Sequence, residues 1–422
     1  MSFKNPKNPN SPLKNTGNSS NSPVENLGKK NRKSNKNNKK STIVFASLGL
    51  LGVIGGSVGL VFGLVLPSKE EARVSFPKIP SEHLGDEFYS HLTGLPLADA
   101  SQVTAPAYCI QTPNGTDGAR PHAGLNEAGV VFEAIAESGI TRFAAIYQDP
   151  TAAVIGPIRS LRIYYLEWDT PFDCTIVHAG GSGDALAAVA NGYKDLTEDY
   201  SYMYRGTTGT RLWNNLFTTS AYLKKMSADR GYTSSDIKGF LRMTPEESLV
   251  SRVNSLVEES LVIYEASSGK TMSLVPKASA INIDFGGWPD FNVRYNYDPA
   301  SNTYLRSYAS GDTHDVYNCP TDDLGEVNPE SSCTLKQLAP SVVVAMEVAE
   351  RRAQDNYHED ITTVGSGNAH IFQNGLVVKG TWQKSSVAEQ IKFYDENGTE
   401  IALAPGQTFV EAVPEYGSVE YQ

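Results

Sequence analysis

The sequence predicts an α/β domain built on a parallel or mixed sheet with helices, followed by a mostly β domain, with one transmembrane helix near the N-terminus. Three observations lead there. Twenty-five consecutive residues, Thr42 to Leu66, carry no charge. Between about Asn126 and Ala190, apolar runs at helical spacing alternate with β-branched runs, which is the pattern of helix and strand units in layers. From about Lys277 onward, short alternating runs are separated by turn signals such as Asn374-Gly375 and Glu396-Asn397-Gly398, as in hairpins.

Residues 1–41 form a tail rich in Asn, Ser, Lys and Pro, with ten basic side chains, one acid (Glu25) and one aromatic (Phe3). So little apolar surface cannot offset chain entropy, and the tail is expected to be disordered. The span 42–66 rises about 1.5 Å per residue as a helix, enough to cross a hydrocarbon core of roughly 30 Å. A cleaved signal peptide would have a shorter apolar region, and the first cysteine is Cys109, too distant for a lipid anchor. Basic residues crowd the N-terminal side of the span, so the tail is expected in the cytoplasm and the bulk outside. Gly55, Gly59 and Gly63 recur every four residues and could pair two such helices as a homodimer. The chain outside the tail carries 26 basic and 46 acidic side chains. That excess opposes nucleic acid and anionic lipid as partners of the outer part.

A stalk is expected over residues 67–90, the α/β domain over 91–265 and the β domain over 275–422. Within the first, PAYCIQT reads as a strand. A helix is expected from the N-cap Asn126 through Val130, Val131, Ala134 and Ile135 to Gly139. ITRFAAIYQD follows as a strand, IRSLRIYYLEW as a helix, CTIVHA as a strand, and a further helix from about Asp184, its N-cap, to Ala190. TTSAYLKKMSADRGY and TPEESLVSRVNSLVEES are helical candidates. Four cysteines outside the membrane allow three connectivities; Cys109 with Cys174, and Cys319 with Cys333 around the polar loop PTDDLGEVNPESS, are favoured.

Several ordered segments resemble the YerB-like family of bacterial envelope proteins. They are LTGLP at 92–96, ARPHAGLNEAGVVFEAIAESGITRFAAIYQD at 119–149, IGPIRSLRIYYLEW at 155–168, VHAGGSGDAL at 177–186, NNLFTTSAYL at 214–223 and a closing stretch over 364–414. The resemblance implies a two-domain protein anchored outside the membrane and supplies no catalytic residue. Members usually carry a lipidated cysteine, which a full transmembrane helix replaces here, and the Cys319–Cys333 loop looks like an insertion.

The loop Gly180-Gly181-Ser182-Gly183 joins a predicted strand to a predicted helix, where free N–H groups favour an anion. Arg159 and Arg162 lie three apart on a predicted helix, hence on one face. With Ser160, His178, Arg120, His122 and Arg142 they form a candidate ligand site for carboxylate or phosphate, which guanidinium matches bidentately. The competing reading pairs each Arg with an acid such as Glu133, Glu137 or Glu167.

Gly180-Gly181-Ser182-Gly183-Asp184 departs from the nucleophile elbow at Asp184, where close packing needs Gly. The seven His are scattered without zinc-ligand spacing. No catalytic set, metal site or cofactor is therefore assigned. The expected function is a single-pass extracytoplasmic envelope protein that binds an anionic ligand, a cell-wall component or a partner protein. The alternative is an envelope hydrolase or transferase acting on an anionic wall or nucleotide-like substrate.

Overall fold

The computed structural model describes residues 88–206, 214–260, 263–265, 270–272, 277–319 and 333–422. The basic tail, the predicted span with Gly55, Gly59 and Gly63, most of the stalk and the loop between Cys319 and Cys333 lie outside these residues. Among the described residues no helix is long and apolar enough to cross a membrane.

Ten strands form one mixed sheet. They are β1 (Ala107–Pro113), β2 (Val130–Glu137), β3 (Ile140–Gln148), β4 (Thr175–His178), β5 (Asp195–Thr197), β6 (Val342–Val348), β7 (Gly365–Gln373), β8 (Leu376–Lys384), β9 (Lys392–Asp395) and β10 (Thr408–Pro414). Their spatial order is β9-β8-β7-β6-β10-β2-β3-β1-β4-β5. The junction is β10, which pairs in parallel with β6 on one side and with β2 on the other. The predicted domains 91–265 and 275–422 thus share one sheet inside the compact unit Pro67–Gln422. The sequence split follows a change of local texture, and the strand that crosses it is invisible to texture.

The chain is mostly β, and two predicted helices are corrected. Val130–Glu137 is a strand buried along its whole length. A strand covered on both faces loses its polar/apolar alternation, and its apolar positions then mimic a helical stripe. The predicted helix at 158–168 begins only at Ile163 and ends at Asp169 (α1). Before it, backbone groups are taken sideways: Ile158 N donates to Leu216 O, Arg159 N to Gln111 O and Leu161 N to Gly180 O. The carbonyls of the same stretch are taken as well, Arg159 O by Ala179 N and Leu161 O by Ser182 N, so they cannot accept the i+4 bonds that would begin a helix there.

The other helices are α2 (Gly183–Val189), α3 (Ser220–Asp229) and α4 (Pro245–Ser260). Thr219 caps α3 by accepting from Tyr222 N at 3.0 Å. Thr244 and Glu247 cap α4 reciprocally, each side chain accepting the other's N–H, which is the capping box that TPEE encodes. Both favoured disulfides are formed, Cys109–Cys174 and Cys319–Cys333.

One face of the sheet packs Phe132, Ala144, Ile146, Val344 and Val410 against Tyr164, Tyr165 and Trp168 of α1. The other face is covered in two parts. Leu223 and Met226 of α3 sit over Val131, Phe143 and Phe409. A four-stranded antiparallel sheet, in the order 303–308, 293–298, 280–284 and 418–421, lays Ile281, Ile283, Tyr295 and Tyr304 over Ile135, Val343 and Val413.

Between these two apolar parts lies a polar seam. Glu133 and Glu411 are direct neighbours across the parallel β2–β10 pair, and with Arg306 they are fully buried. Arg306 donates to a Glu133 oxygen and to Tyr295 Oη, and Tyr295 donates to Glu411. Burial and the adjacent Glu133 push the Glu411 carboxyl well above its usual range. Burial opposes the Arg306 charge, and Glu133, Tyr295, Glu411 and Tyr308 together outweigh it.

Replacing Arg306 leaves the Glu133 charge buried without its cation, a loss of about 3–5 kcal/mol. Arg306→Leu is expected to lower unfolding free energy in urea by that amount, and adding Glu133→Gln to recover part of it. A single variant as stable as the wild type would refute the assigned pairing.

Candidate functional site

The ten predicted site residues fall into two places. Arg120 and His122 belong to the buried seam. Arg306 donates to His314 Nδ1, His314 Nε2 lies 3.0 Å from His122 Nδ1, and His122 Nε2 lies 2.8 Å from the Pro113 carbonyl. Only one proton arrangement satisfies this chain: both rings carry hydrogen on Nε2, and each Nδ1 accepts. Both rings are neutral; burial lowers His122 to about 3 and His314 well below its usual value. Arg120 stacks on the Tyr308 ring at 3.7 Å and donates to Asn114 Oδ1 at 2.9 Å and to the Asp290 carbonyl. These two residues are structural, tying the N-terminal half of the chain to the C-terminal half.

The remaining eight cluster around the glycine loop. Residues Arg159 to Leu161 run extended beside it: Ala179 N donates to Arg159 O, Leu161 N to Gly180 O and Ser182 N to Leu161 O. Gly180 adopts φ +72°, and a Cβ on Gly181 would lie 3.1 Å from the Leu161 carbonyl. Glycine is required at the first position by its dihedral and favoured at the second by close approach. Ser182, rather than the expected Asp184, is the N-cap of α2; Asp184 lies in the first turn. The predicted common helix face for Arg159 and Arg162 does not exist, because both precede α1.

Glu137 is the hub. Arg142 and Arg162 both donate to its carboxylate, Arg162 at 2.8 Å, and all three side chains are buried. Arg142 also donates to Ser160 O at 3.1 Å, and Arg162 to Leu161 O at 3.1 Å. Burial disfavours the Glu137 charge, but the two guanidinium groups outweigh it and hold the carboxyl below its usual range. The ion-pair reading is thus right for Arg142 and Arg162.

Arg159 differs. It is half-buried, and its guanidinium meets no acid within ion-pair distance among the described residues. Burial and then repulsion by Arg142 lower its affinity for the proton, although guanidinium remains cationic. Two buried atoms nearby also lack partners, Arg162 Nε and Ser182 Oγ. Two cations therefore share the Glu137 carboxylate, and a third, Arg159, lies close enough to be repelled by Arg142 without an acid of its own among the described residues.

His178 is fully engaged. Its Nδ1 lies 2.8 Å from Gly180 O and its Nε2 3.0 Å from Asp195 Oδ1. Both ring nitrogens position the loop, and neither faces Ser182 in a hydrogen bond.

Comparison with known proteins agrees with this architecture. A model for the N-terminal domain of DUF3048, a protein of unknown function, matches residues 92–233, and the model for its C-terminal domain matches residues 281–410. The chain belongs to the DUF3048 family. The candidate lipoprotein YerB of Bacillus subtilis (strain 168) is 26% identical over 334 residues, 77% of this chain and 86% of that protein. The crystal structure of YerB aligns with a TM-score of 0.60 at 24% identity, covering 79% of this chain and 99% of that one. The resemblance of the sequence segments to YerB-like proteins thus holds over the 77% of the chain that aligns. Within the DUF3048 fold, the N-terminal match supplies β1 to β5 and the C-terminal match β6 to β9, with β10 beginning inside it.

Glu137 as hub was among the acids considered in the sequence, but no local pattern singles it out. The seam residues Arg306 and His314 carry no local signal at all. For the loop, Gly180→Ala is expected to destabilise by about 1–2 kcal/mol, the strain of a left-handed non-glycine residue. Gly183→Ala, with no atom within 4 Å of its Cβ, is expected to melt no lower than the wild type. Equal melting points for the two variants would contradict the assigned loop geometry.

Proposed function

We propose that this DUF3048 protein is a single-pass, membrane-anchored extracytoplasmic protein that binds an anionic envelope ligand at the Glu137 cluster. The anchor is Thr42–Leu66, with the basic tail in the cytoplasm. Supporting this placement are the charge step across the apolar run, the two disulfides, which suit an oxidising compartment, and the description of the relative YerB as a candidate lipoprotein.

The observation that carries the binding reading is the surplus of cations: Arg142, Arg159 and Arg162 against the single carboxylate of Glu137, with Arg159 unpaired among the described residues. An anion accepting from Arg159 would complete the charge balance that the fold leaves open. Carboxylate and phosphate oxygens fit that donor set. Both α1 and α2 have seven residues, so their dipoles add little and the guanidinium groups carry the attraction. The hydrolase or transferase reading has no comparable observation behind it, since His178 is engaged elsewhere and Ser182 Oγ has no hydrogen-bonding base among the described residues.

Titration calorimetry of the full-length protein with inorganic phosphate, and with a purified phosphate-bearing wall polymer, tests the site. Saturable, salt-sensitive binding is expected. Arg159→Ala should weaken it roughly 10- to 100-fold, the equivalent of a charge-assisted hydrogen bond of about 1.5–3 kcal/mol, while Arg159→Lys retains part. Unchanged affinity in Arg159→Ala would overturn the assignment. Separately, deleting Thr42–Leu66 is expected to move the protein from the membrane pellet to the soluble fraction. Retention in the pellet would remove the proposed anchor.

A further inference from the structure

A second feature shares no side chain with the Glu137 cluster, although it begins at Ser138, the next residue, and Glu137 bridges to His358 beside its wall. A cavity of about 350 Å³ opens where the turn Ser138-Gly139 meets the loop Gly286-Gly287-Trp288, with Arg352, Glu359 and Tyr416 on its wall. Its size is near the lower end for small-molecule sites, roughly 300–1,000 Å³.

Two large aromatic rings border it in the open. Trp288 is 60% exposed and Tyr416 58%. A tryptophan that served packing would be mostly covered. Both rings are nevertheless held in place at their polar edges. Trp288 Nε1 donates to the Ser138 carbonyl at 2.7 Å, and Tyr416 Oη donates to Glu350 Oε1 at 2.7 Å.

Glycines make this display possible. A Cβ on Gly286 would come within 2.4 Å of the Tyr416 ring, one on Gly139 within 2.9 Å of Trp288 Cδ1, and one on Gly287 within 2.7 Å of the Gly139 carbonyl. Both rings therefore rest directly against backbone, oriented before any ligand arrives. Pre-oriented groups lose little freedom on binding.

The wall beside the rings is polar. Glu359 is buried and pairs with the half-exposed Arg352, Nε to Oε2 at 3.4 Å. Behind Tyr416, Glu350 keeps a buried Oε2 with no partner. Burial pushes the Glu350 carboxyl up to about 7, so it is only partly ionised near neutrality and can act as donor or acceptor.

We infer that this cavity is a saccharide-binding site, with a pyranose ring stacked on Trp288 and its hydroxyls bonded to Glu359 and Arg352. A pyranose presents one face of C–H groups, which suits the negative face of an indole, and a rim of hydroxyls that need both donors and acceptors. An aromatic platform beside a carboxylate and a guanidinium meets both demands. A docked protein would call for a broader apolar patch, of a few hundred Å² or more, than two rings resting on glycine.

Titration calorimetry of the full-length protein with chitotetraose and with cellotetraose, both uncharged, tests the inference. At least one is expected to give saturable heat in the wild type. Trp288→Ala should lose affinity by tenfold or more without a lower melting point, since the ring is largely exposed, and Trp288→Phe should retain most of it. Arg159→Ala should leave saccharide affinity unchanged, so that failure here is distinguishable from failure of the anion site. No saturable heat with either tetrasaccharide, or wild-type affinity in Trp288→Ala, would overturn the proposal.

Discussion

Arg306, buried with Glu133 and Glu411, is the constraint on which the rest of the architecture depends. A cation wholly removed from water needs a counter-charge and several acceptors at once. Here they come from β2, from β10 and from the strand at 293–298. These elements therefore have one workable register. The parallel insertion of β10 beside β2 places Glu411 against Glu133, and the like charge and burial raise the Glu411 carboxyl. The same Arg306 sets the tautomers of His314 and His122 and so reaches the Pro113 carbonyl at the end of β1.

Strand β2 also builds the candidate anion site. Its register with β3 shifts between Ile135 and Glu137. Without that bulge, Glu137 would share the face of Glu133. Its partner Arg142 instead alternates with Ala144 and Ile146, which pack on the opposite face against α1. The bulge thus directs one glutamate of the strand into the seam and the next toward the guanidinium cluster, a familiar use of bulges beside functional positions.

Residues next to each other in the chain can have opposite fates here. Arg162 is buried against Glu137, while Arg159, three residues earlier, has backbone pairing on both sides and a side chain without an acid partner among the described residues. Asp184 looks like a cap because it follows the four small residues of the loop, yet Ser182 takes that position and leaves its own hydroxyl unsatisfied. In each case sequence spacing limits the choices, and the path of a neighbouring segment selects among them.

What the sequence by itself determined is local. Thr244 with Glu247, Thr219 before α3, the Asn374-Gly375 turn between β7 and β8, and the charge step around Thr42–Leu66 all arise from groups a few residues apart. The order of strands, the single sheet across both halves, the strand at Val130–Glu137 and the surplus cation at Arg159 were decided only by the tertiary structure. Arg306 and Glu133 are separated by 173 residues. No local preference encodes such a pairing, because burial on both faces and contact across strands exist only once the chain has folded.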